Sequence, residues 1–243
     1  DGAGSLVKFV DPKRGTGGRI AATIARDVFA TRKGHLYDCA MVANQKIRAE
    51  MVASGIDVSK KVNLWCTTAA VVRMGYDSFE WLQIGDSVIL LIKNDSSFEL
   101  LVSYHDHDQE LLSVCKKLSE QGEKDPHSVI VANGQAQALR EELNVTYGDL
   151  TGEDEAMQWA ECGTKGLDGI DHILLFTDGL LIPKEDPKAS NNWQQIVQLF
   201  LAGGLKNVVD HVRRLQKVDP FCREYTRYKQ YDDIAAIALS RKS

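Results

Sequence analysis

A block of short β-rich runs most constrains how this chain can fold. Four such runs follow one another between residues 65 and 104, with turn residues such as Gly75-Tyr76-Asp77 and Gly85-Asp86 between them. Closely spaced strands with tight turns predict an antiparallel meander. The predicted strands are Trp65 to Met74, Ser78 to Ile84, Val88 to Ile92 and Glu99 to Tyr104.

Amphipathic helices are predicted on both sides of this block. Apolar residues recur every three or four positions over Arg19 to Thr31 and over Leu36 to Met51, which is the spacing of one helix face. Two further patterns of this kind begin at Trp193 and at Leu205. The β-rich block is therefore expected to lie between two pairs of helices.

The remaining segments complete an α+β pattern. Residues 105–169 are polar and show weak periodicity apart from one amphipathic helix near Leu111, so we expect much of this segment to be a long functional loop. Buried-type strands are predicted at Ile170 to Thr177 and at Ile234 to Leu239. Helix pairs that alternate with sheets predict helices packed on the outside of stacked sheets.

Composition excludes several classes of protein. The 243 residues are 44% apolar, which predicts a sizeable core, and the net charge of −5 without a dense Lys/Arg run argues against nucleic-acid binding. The apolar runs are far shorter than the roughly 20 residues that span a bilayer. Five scattered cysteines without a Cys-x-x-Cys pair argue against a disulfide framework and a zinc site, and they favour a cytoplasmic location. These cysteines are Cys39, Cys66, Cys115, Cys162 and Cys222.

Three acidic turns lie far apart in the sequence. They are centred on Asp1-Gly2, Asp178-Gly179 and Asp232-Asp233, and the last two adjoin predicted strands. An Asp-Gly turn at a strand end lets the carboxylate point out of the sheet edge. Each turn alone is typical of an ordinary hairpin, but together they predict a site for Mg²⁺ or Mn²⁺, which prefer carboxylate and carbonyl oxygens.

Five short motifs occur in a fixed order over nearly the whole chain. They are Asp1-Gly2-Ala3-Gly4-Ser5, Cys66-Thr67-Thr68-Ala69, Ile84-Gly85-Asp86-Ser87, Leu174-Leu175-Phe176-Thr177-Asp178-Gly179-Leu180 and Asp232-Asp233-Ile234. This ordered set resembles the metal-dependent protein serine/threonine phosphatases of the 2C family, in its bacterial form. The resemblance implies a four-layer α-β-β-α sandwich of two antiparallel sheets flanked by helix pairs, as a single catalytic domain over residues 1–243.

The resemblance also implies a metal site and its ligands. Asp1 would bridge two Mn²⁺ or Mg²⁺ ions, with the Gly2 carbonyl on one ion and with Asp178 and Asp232 on the other. Asp86 and again Asp178 would hold a weaker third ion. A cation-activated water would then hydrolyse phosphoserine or phosphothreonine, so Asp1, Asp178 and Asp232 would act in catalysis through the ions. The partner would be a phosphoprotein, such as the target of a cognate kinase, chosen with the help of a flap at about 105–169.

The sequence departs from the family pattern in places. Family members carry a phosphate-binding Arg and a further acidic ligand upstream of the first Asp-Gly turn, so we expect an N-terminal segment with one or two strands to precede Asp1. Ala3 stands where some members have a general-acid His. Lys13 and Arg14 are weak candidates for a phosphate contact, and His105, His107 and Asp108 are weak candidates for the general acid. Surface solvation is the simpler interpretation of each of these five residues.

Two alternatives to an active phosphatase stay open. One is a catalytically inactive, phosphatase-like module that binds or regulates a partner. The other is a different metal hydrolase, such as a nuclease, which the lack of a basic patch disfavours. Three carboxylates in motif positions favour the enzyme, because a scaffold has no need to concentrate them.

Overall fold

The computed structural model describes residues 1–3 and 6–241. Its helices are α1 (Gly17–Thr31), α2 (Leu36–Ala53), α3 (Gln109–Glu120), α4 (Pro126–Ala132), α5 (Gln135–Glu141) and α6 (Trp193–Val218). Its strands are β1 (Gly2–Ala3), β2 (Val10–Asp11), β3 (Gly15–Thr16), β4 (Cys66–Thr67), β5 (Ala69–Met74), β6 (Ser78–Ile84), β7 (Val88–Lys93), β8 (Phe98–Leu100), β9 (Glu161–Gly166), β10 (Ile170–Phe176) and β11 (Ala236–Ser240). Short 3-10 turns lie at Lys61–Asn63, Asp154–Trp159 and Asp178–Leu180.

The first two helices form as their periodicity predicts. Helix α1 starts earlier than expected because Thr16 caps it, its hydroxyl accepting the Arg19 N–H at 3.3 Å. The buried face of α1 packs against that of α2 in one core with Trp65. The prediction of two helices before the β-rich block is therefore confirmed.

The strands of the β-rich block do not form one meander. Strand β6 pairs antiparallel with β5 and β9, whereas β7 lies between β8 and β10 in a sheet of order β11-β10-β7-β8. The meander prediction was wrong at Gly85-Asp86, which joins strands of two different sheets. Local turn signals predict a reversal of direction, but they do not decide which strand becomes the neighbour.

The polar segment is more ordered than expected. It contains α3, α4, α5 and β9, so the prediction that much of it is loop was wrong. Helices of 7 residues, such as α4 and α5, are too short to show a clear apolar period. Asp125 nevertheless gives α4 a start signal, since its side chain accepts the Ser128 N–H and Pro126 follows it.

The chain divides into two compact units. Unit 1 comprises Asp1–Ile89 and Gln137–Asp168, and unit 2 comprises Leu90–Ala136 and Gly169–Ser243. In unit 2 the two predicted C-terminal helices are the halves of α6, which is interrupted at Gly203 and Gly204. The α+β class with antiparallel sheets and helices is confirmed. Nowhere in residues 1–3 and 6–241 is a helix both long and apolar enough to cross a membrane.

Candidate metal centre

The first acidic turn is tied to the start of the β-rich block in unit 1. Gly2 is opposite Thr67 in the antiparallel pair of β1 and β4. The Asp1 carbonyl accepts the Thr68 N–H at 2.9 Å and a hydrogen bond from the Thr67 hydroxyl, while the Asp1 side chain is exposed. Two motifs that lie 66 residues apart in the sequence are thereby joined.

Gly2 must be a glycine in this position. A Cβ on Gly2 would lie 2.2 Å from the carbonyl oxygen of Gly18, in the first turn of α1. No real Cβ contact is that short, so the close approach of β1 to α1 depends on the missing side chain. The Asp-Gly dipeptide is thus explained by packing, whether or not its carbonyl binds a metal ion.

The turn that carries Asp86 is joined to the same threonine. The hydroxyls of Thr68 and Ser87 are 2.6 Å apart, and both residues are buried. Gly85 has a positive φ of 76°, and a Cβ there would lie 2.5 Å from the Thr68 side chain. Thr68 therefore connects the Asp1 turn with the Asp86 turn, as required if both supply ligands.

A further carboxylate in unit 1 was missed by the sequence analysis. Asp149 is 5% exposed and lies beside Gly85, where a Cβ would meet its Oδ1 at 2.5 Å. Its backbone N–H donates to Asn144 at 3.1 Å, and the next residue, Leu150, exchanges two backbone hydrogen bonds with Thr67. The dipeptide Gly148-Asp149 repeats the Gly85-Asp86 pattern and could have indicated this residue. It was not recognised because it lies in the polar segment that was expected to be loop.

The charges of Asp86 and Asp149 influence the pKa of a neighbouring thiol, that of Cys66. The pKa of Cys66 is raised to about 11, chiefly by burial, with smaller contributions from the charges of Asp149 and Asp86 against the opposing effect of Arg140. An Arg140 Nη1–H donates to the Cys66 Sγ at 2.8 Å. Cys66 is therefore a protonated, structural thiol at neutral pH.

In unit 2 the other two acidic turns lie side by side. Strands β10 and β11 pair antiparallel, so Asp178 after β10 and Asp232 before β11 belong to the same end of the pair. A Cβ on Gly179 would lie 2.0 Å from the Asp233 carbonyl oxygen and 3.3 Å from the Asp232 Cβ. The Thr177 N–H also donates to the Ala235 carbonyl at 3.0 Å. The structure thus brings together the two turns whose carboxylates the family resemblance assigns to one ion.

Asp232 already contacts a cation of the protein itself. The Lys229 ammonium is 2.7 Å from Asp232 Oδ1, which also accepts the Asp233 N–H at 2.8 Å. Partial burial lowers the pKa of Lys229, but the hydrogen bond and charge of Asp232, together with the charges of Asp233 and Asp178, raise it overall. Lys229 is therefore charged at neutral pH, and Asp232 is paired with a cation of the protein itself.

The donor chemistry of unit 2 fits a divalent cation. Among residues 1–3 and 6–241, no group of three or more Asp, Glu, His or Cys side chains is arranged to hold a metal ion. Asp178 and Asp232 nevertheless fit as a partial ligand set, because carboxylates are the donors that Mn²⁺ and Mg²⁺ prefer and these two already attract an ammonium group. The ligand assignment as a whole stays a prediction.

The weaker candidates have other contacts. Arg14 pairs with Asp11 and, at 2.5 Å, with Glu50, and the N–H groups of Lys13 and Arg14 both donate to Asp11. Asp108 accepts the Tyr228 hydroxyl at 3.3 Å. These contacts give Arg14 and Asp108 structural roles. His105 is exposed, as a solvated loop residue would be.

Comparison with known proteins agrees with the motif order. The family model described as Protein phosphatase 2C matches residues 1–218. No curated protein matches the sequence.

Similar solved structures are bacterial phosphatases of low sequence identity. Serine/threonine phosphatase Stp1 from Staphylococcus aureus is 17% identical, with 100% of this chain and 82% of that chain covered and a TM-score of 0.55. The serine/threonine phosphatase PstP/Ppp of Mycobacterium tuberculosis is 14% identical, with 100% and 98% covered and a TM-score of 0.53. The PstP catalytic domain in complex with two manganese ions is 14% identical, with 92% and 82% covered and a TM-score of 0.51. These similarities indicate a shared fold.

Proposed function

This chain belongs to the protein phosphatase 2C family and is a protein phosphatase; we propose that it hydrolyses phosphoserine and phosphothreonine in proteins with the help of divalent cations. The observation that carries this proposal is the contact between the Asp178-Gly179 turn and the Asp232-Asp233 backbone. The turns that carry Asp178 and Asp232, 54 positions apart in sequence, approach each other at Gly179, where a side chain would collide with the Asp233 carbonyl oxygen. Mn²⁺ and Mg²⁺ prefer carboxylate oxygens, so two acidic turns that lie side by side suit such an ion.

We assign the metal ligands as the motifs imply. Asp178 and Asp232 are the proposed ligands in unit 2, and Asp1, the Gly2 carbonyl and Asp86 are those in unit 1. Mn²⁺ or Mg²⁺ would bind, two ions with a weaker third, and PstP supports this number because its catalytic domain was solved with two manganese ions. When bound, such ions lower the pKa of a water molecule and neutralise phosphate charge.

The chain's own residues keep these ligands in position. Thr67 and Thr68 hold the Asp1 carbonyl, and Ser87 holds Thr68. In unit 2, Arg213 donates to the Asp232 carbonyl at 2.7 Å and so orients the backbone that carries this carboxylate. Because these hydrogen bonds fix the proposed ligands before the substrate binds, less entropy is lost when a phosphorylated substrate is oriented for attack.

The proposal extends to substrate and location. We assign substrate choice to the segment at about 105–169, which contains α3, α4, α5 and β9. A phosphoprotein, including a target of a Ser/Thr kinase, would bind there. A cytoplasmic location is supported by the five cysteines, all of which are free.

Hydrolysis of a phosphopeptide by the full-length protein in millimolar Mn²⁺ tests this function. Asp178→Asn should reduce kcat at least 100-fold and weaken Mn²⁺ binding, measured by the electron paramagnetic resonance signal of free Mn²⁺. The matched control is Asp210→Asn, which removes an exposed carboxylate on α6 and should change neither quantity. Absence of phosphopeptide and aryl phosphate hydrolysis in the unmodified protein would refute the proposal.

A catalytically inactive binding module is the second candidate. The ion pair of Lys229 with Asp232 favours it, because a carboxylate neutralised by lysine has less need of a metal ion. An inactive module should not bind Mn²⁺. Its activity should also be the same, at background, in the unmodified protein and in Asp178→Asn. The same two assays therefore distinguish the candidates.

A further inference from the structure

Lys229 and Asp232 form an ion pair at a proposed metal ligand. Lys229 Nζ is 2.7 Å from Asp232 Oδ1, and the two side chains are 57% and 33% exposed. The charges of Asp233 and Asp178 act on the same ammonium group. A metal ion that binds Asp232 through this oxygen therefore meets a positive charge that is already there.

The backbone around Lys229 is anchored on both sides. Arg227 donates to the Gln230 carbonyl at 3.1 Å and to Asp219 Oδ2 at 3.0 Å, where the ion pair is mostly buried. The Tyr228 hydroxyl donates to Asp108 at 3.3 Å. The backbone at Lys229 is thus held in place. Its half-exposed side chain is nevertheless long enough to leave Asp232 and reach solvent.

Asp232 is fixed in the same way. Arg213 donates to its backbone carbonyl at 2.7 Å, and the guanidinium of Arg213 lies 5.6 Å from the centre of the Tyr231 ring. Because both backbones are held, breaking the ion pair requires rotation of the lysine side chain alone. The pair can therefore exchange for a metal ion without rearrangement of the fold.

We propose that Lys229 is a tethered competitor for the divalent cation at Asp232, and that it sets how much metal the phosphatase needs. This inference rests on the proposed function, since it takes Asp232 as a metal ligand. A divalent cation displaces the ammonium because its charge is double and a half-exposed ion pair is weak. The cost of that displacement appears as a higher Kd for the metal.

The experiment measures Mn²⁺ binding directly, by the resonance signal of free Mn²⁺, in the full-length protein and in Lys229→Met. Loss of the competitor should lower the Kd roughly two- to fivefold, the upper part of the range of an exposed ion pair. Lys229→Arg keeps the charge and should keep a Kd close to that of the unmodified protein. The control Lys206→Met removes a similar exposed ion pair with Asp210 on α6 and should not change the Kd.

Other outcomes overturn the inference. A Kd for Lys229→Met that is within twofold of the unmodified value, or higher than it, rules out competition, even if KM for the phosphopeptide rises. Circular dichroism and the Tm show whether each variant is folded. If the unmodified protein hydrolyses phosphopeptide and binds Mn²⁺ while Lys229→Met binds it no better, the lysine inference alone fails. If neither the unmodified protein nor Lys229→Met binds Mn²⁺, both the proposed function and the lysine inference fail.

Discussion

The Asp233 carbonyl oxygen occupies the place that a side chain on Gly179 would need, 2.0 Å from the position of its Cβ. The turn after β10 and the segment before β11 can approach so closely only at a glycine. The turns that carry Asp178 and Asp232 lie side by side as a result.

Gly179→Ala should therefore separate the two acidic turns. We expect a loss of about 1–3 kcal/mol in the free energy of unfolding, because backbone must move to admit the methyl group. The Kd for Mn²⁺ should rise at least tenfold and phosphopeptide hydrolysis should fall with it. Urea unfolding and Mn²⁺ titration measure these effects.

Gly166→Ala is the matched control for this variant. Gly166 lies in β9, and the nearest atom to an added Cβ would be the Asp77 carbonyl oxygen at 4.0 Å. Stability and Mn²⁺ binding should stay near those of the unmodified protein. Equal effects of the two alanines would show that the contact at Gly179 has no special role.

Thr68 should couple the Asp1 turn to the Asp86 turn. Thr68→Val keeps the shape of the side chain but removes the hydroxyl that lies 2.6 Å from that of Ser87, so we expect a loss of about 1–2 kcal/mol in stability. A double-mutant cycle with Ser87→Ala should give a coupling energy of about 1 kcal/mol. Additive losses in urea unfolding would mean that the two hydroxyls do not interact.

Asp219 should make the stability of unit 2 depend on acid pH. Burial raises the pKa of its carboxyl, but N–H donors from Tyr225 and Arg223 and the Arg227 guanidinium lower it overall from the ordinary value of 3.8. A lowered pKa means that the carboxylate stabilises the fold above about pH 4 and that this contribution disappears as the pH falls through the pKa of the folded state.

Asp219→Asn measures that contribution. At pH 7 it should cost roughly 3 kcal/mol, because Arg227 loses a mostly buried partner. The difference from the unmodified protein should shrink in urea unfolding as the pH falls below about 4. A difference that stays constant with pH would contradict a lowered pKa for Asp219.

Cys66 and Cys162 should differ strongly in reactivity. Burial raises the pKa of Cys66 to about 11, so only about one molecule in a thousand carries its thiolate at pH 8, whereas Cys162 is exposed on β9. With an aromatic disulfide reagent we expect Cys66 to react at least 100-fold more slowly. Cys162→Ser should remove the fast phase and Cys66→Ser should leave it, and the opposite pattern would refute the burial of Cys66.

Much of the local structure could be predicted from the sequence. Helix α2 begins at Leu36 and strand β6 spans Ser78–Ile84, as the apolar periods indicated, since period depends on which side of one element is buried. The order of the motifs likewise predicted the family, and the family model confirms it. Short helices such as α4 were not predicted, because 7 residues contain too few turns for an apolar period to appear.

Contacts between distant segments could not be predicted in this way. Asp149 was missed because its position beside Gly85 depends on the backbone pairing of Leu150 with Thr67, 83 positions away. The ion pair of Lys229 with Asp232 was missed for a different reason, since a lysine three residues before an aspartate is ordinary on any surface.

The amino-acid sequence by itself determined the long helices, the strands with a clear apolar pattern such as β6 and β10, the glycines at the acidic turns and the family. Those properties depend on neighbouring residues or on motif order. Only the tertiary structure decided that β6 and β7 belong to different sheets, that Thr68 joins two motifs, and that a lysine already neutralises Asp232. Strand pairing and charge contacts arise when separate segments bury their surfaces against each other, and no local pattern records which segments will meet.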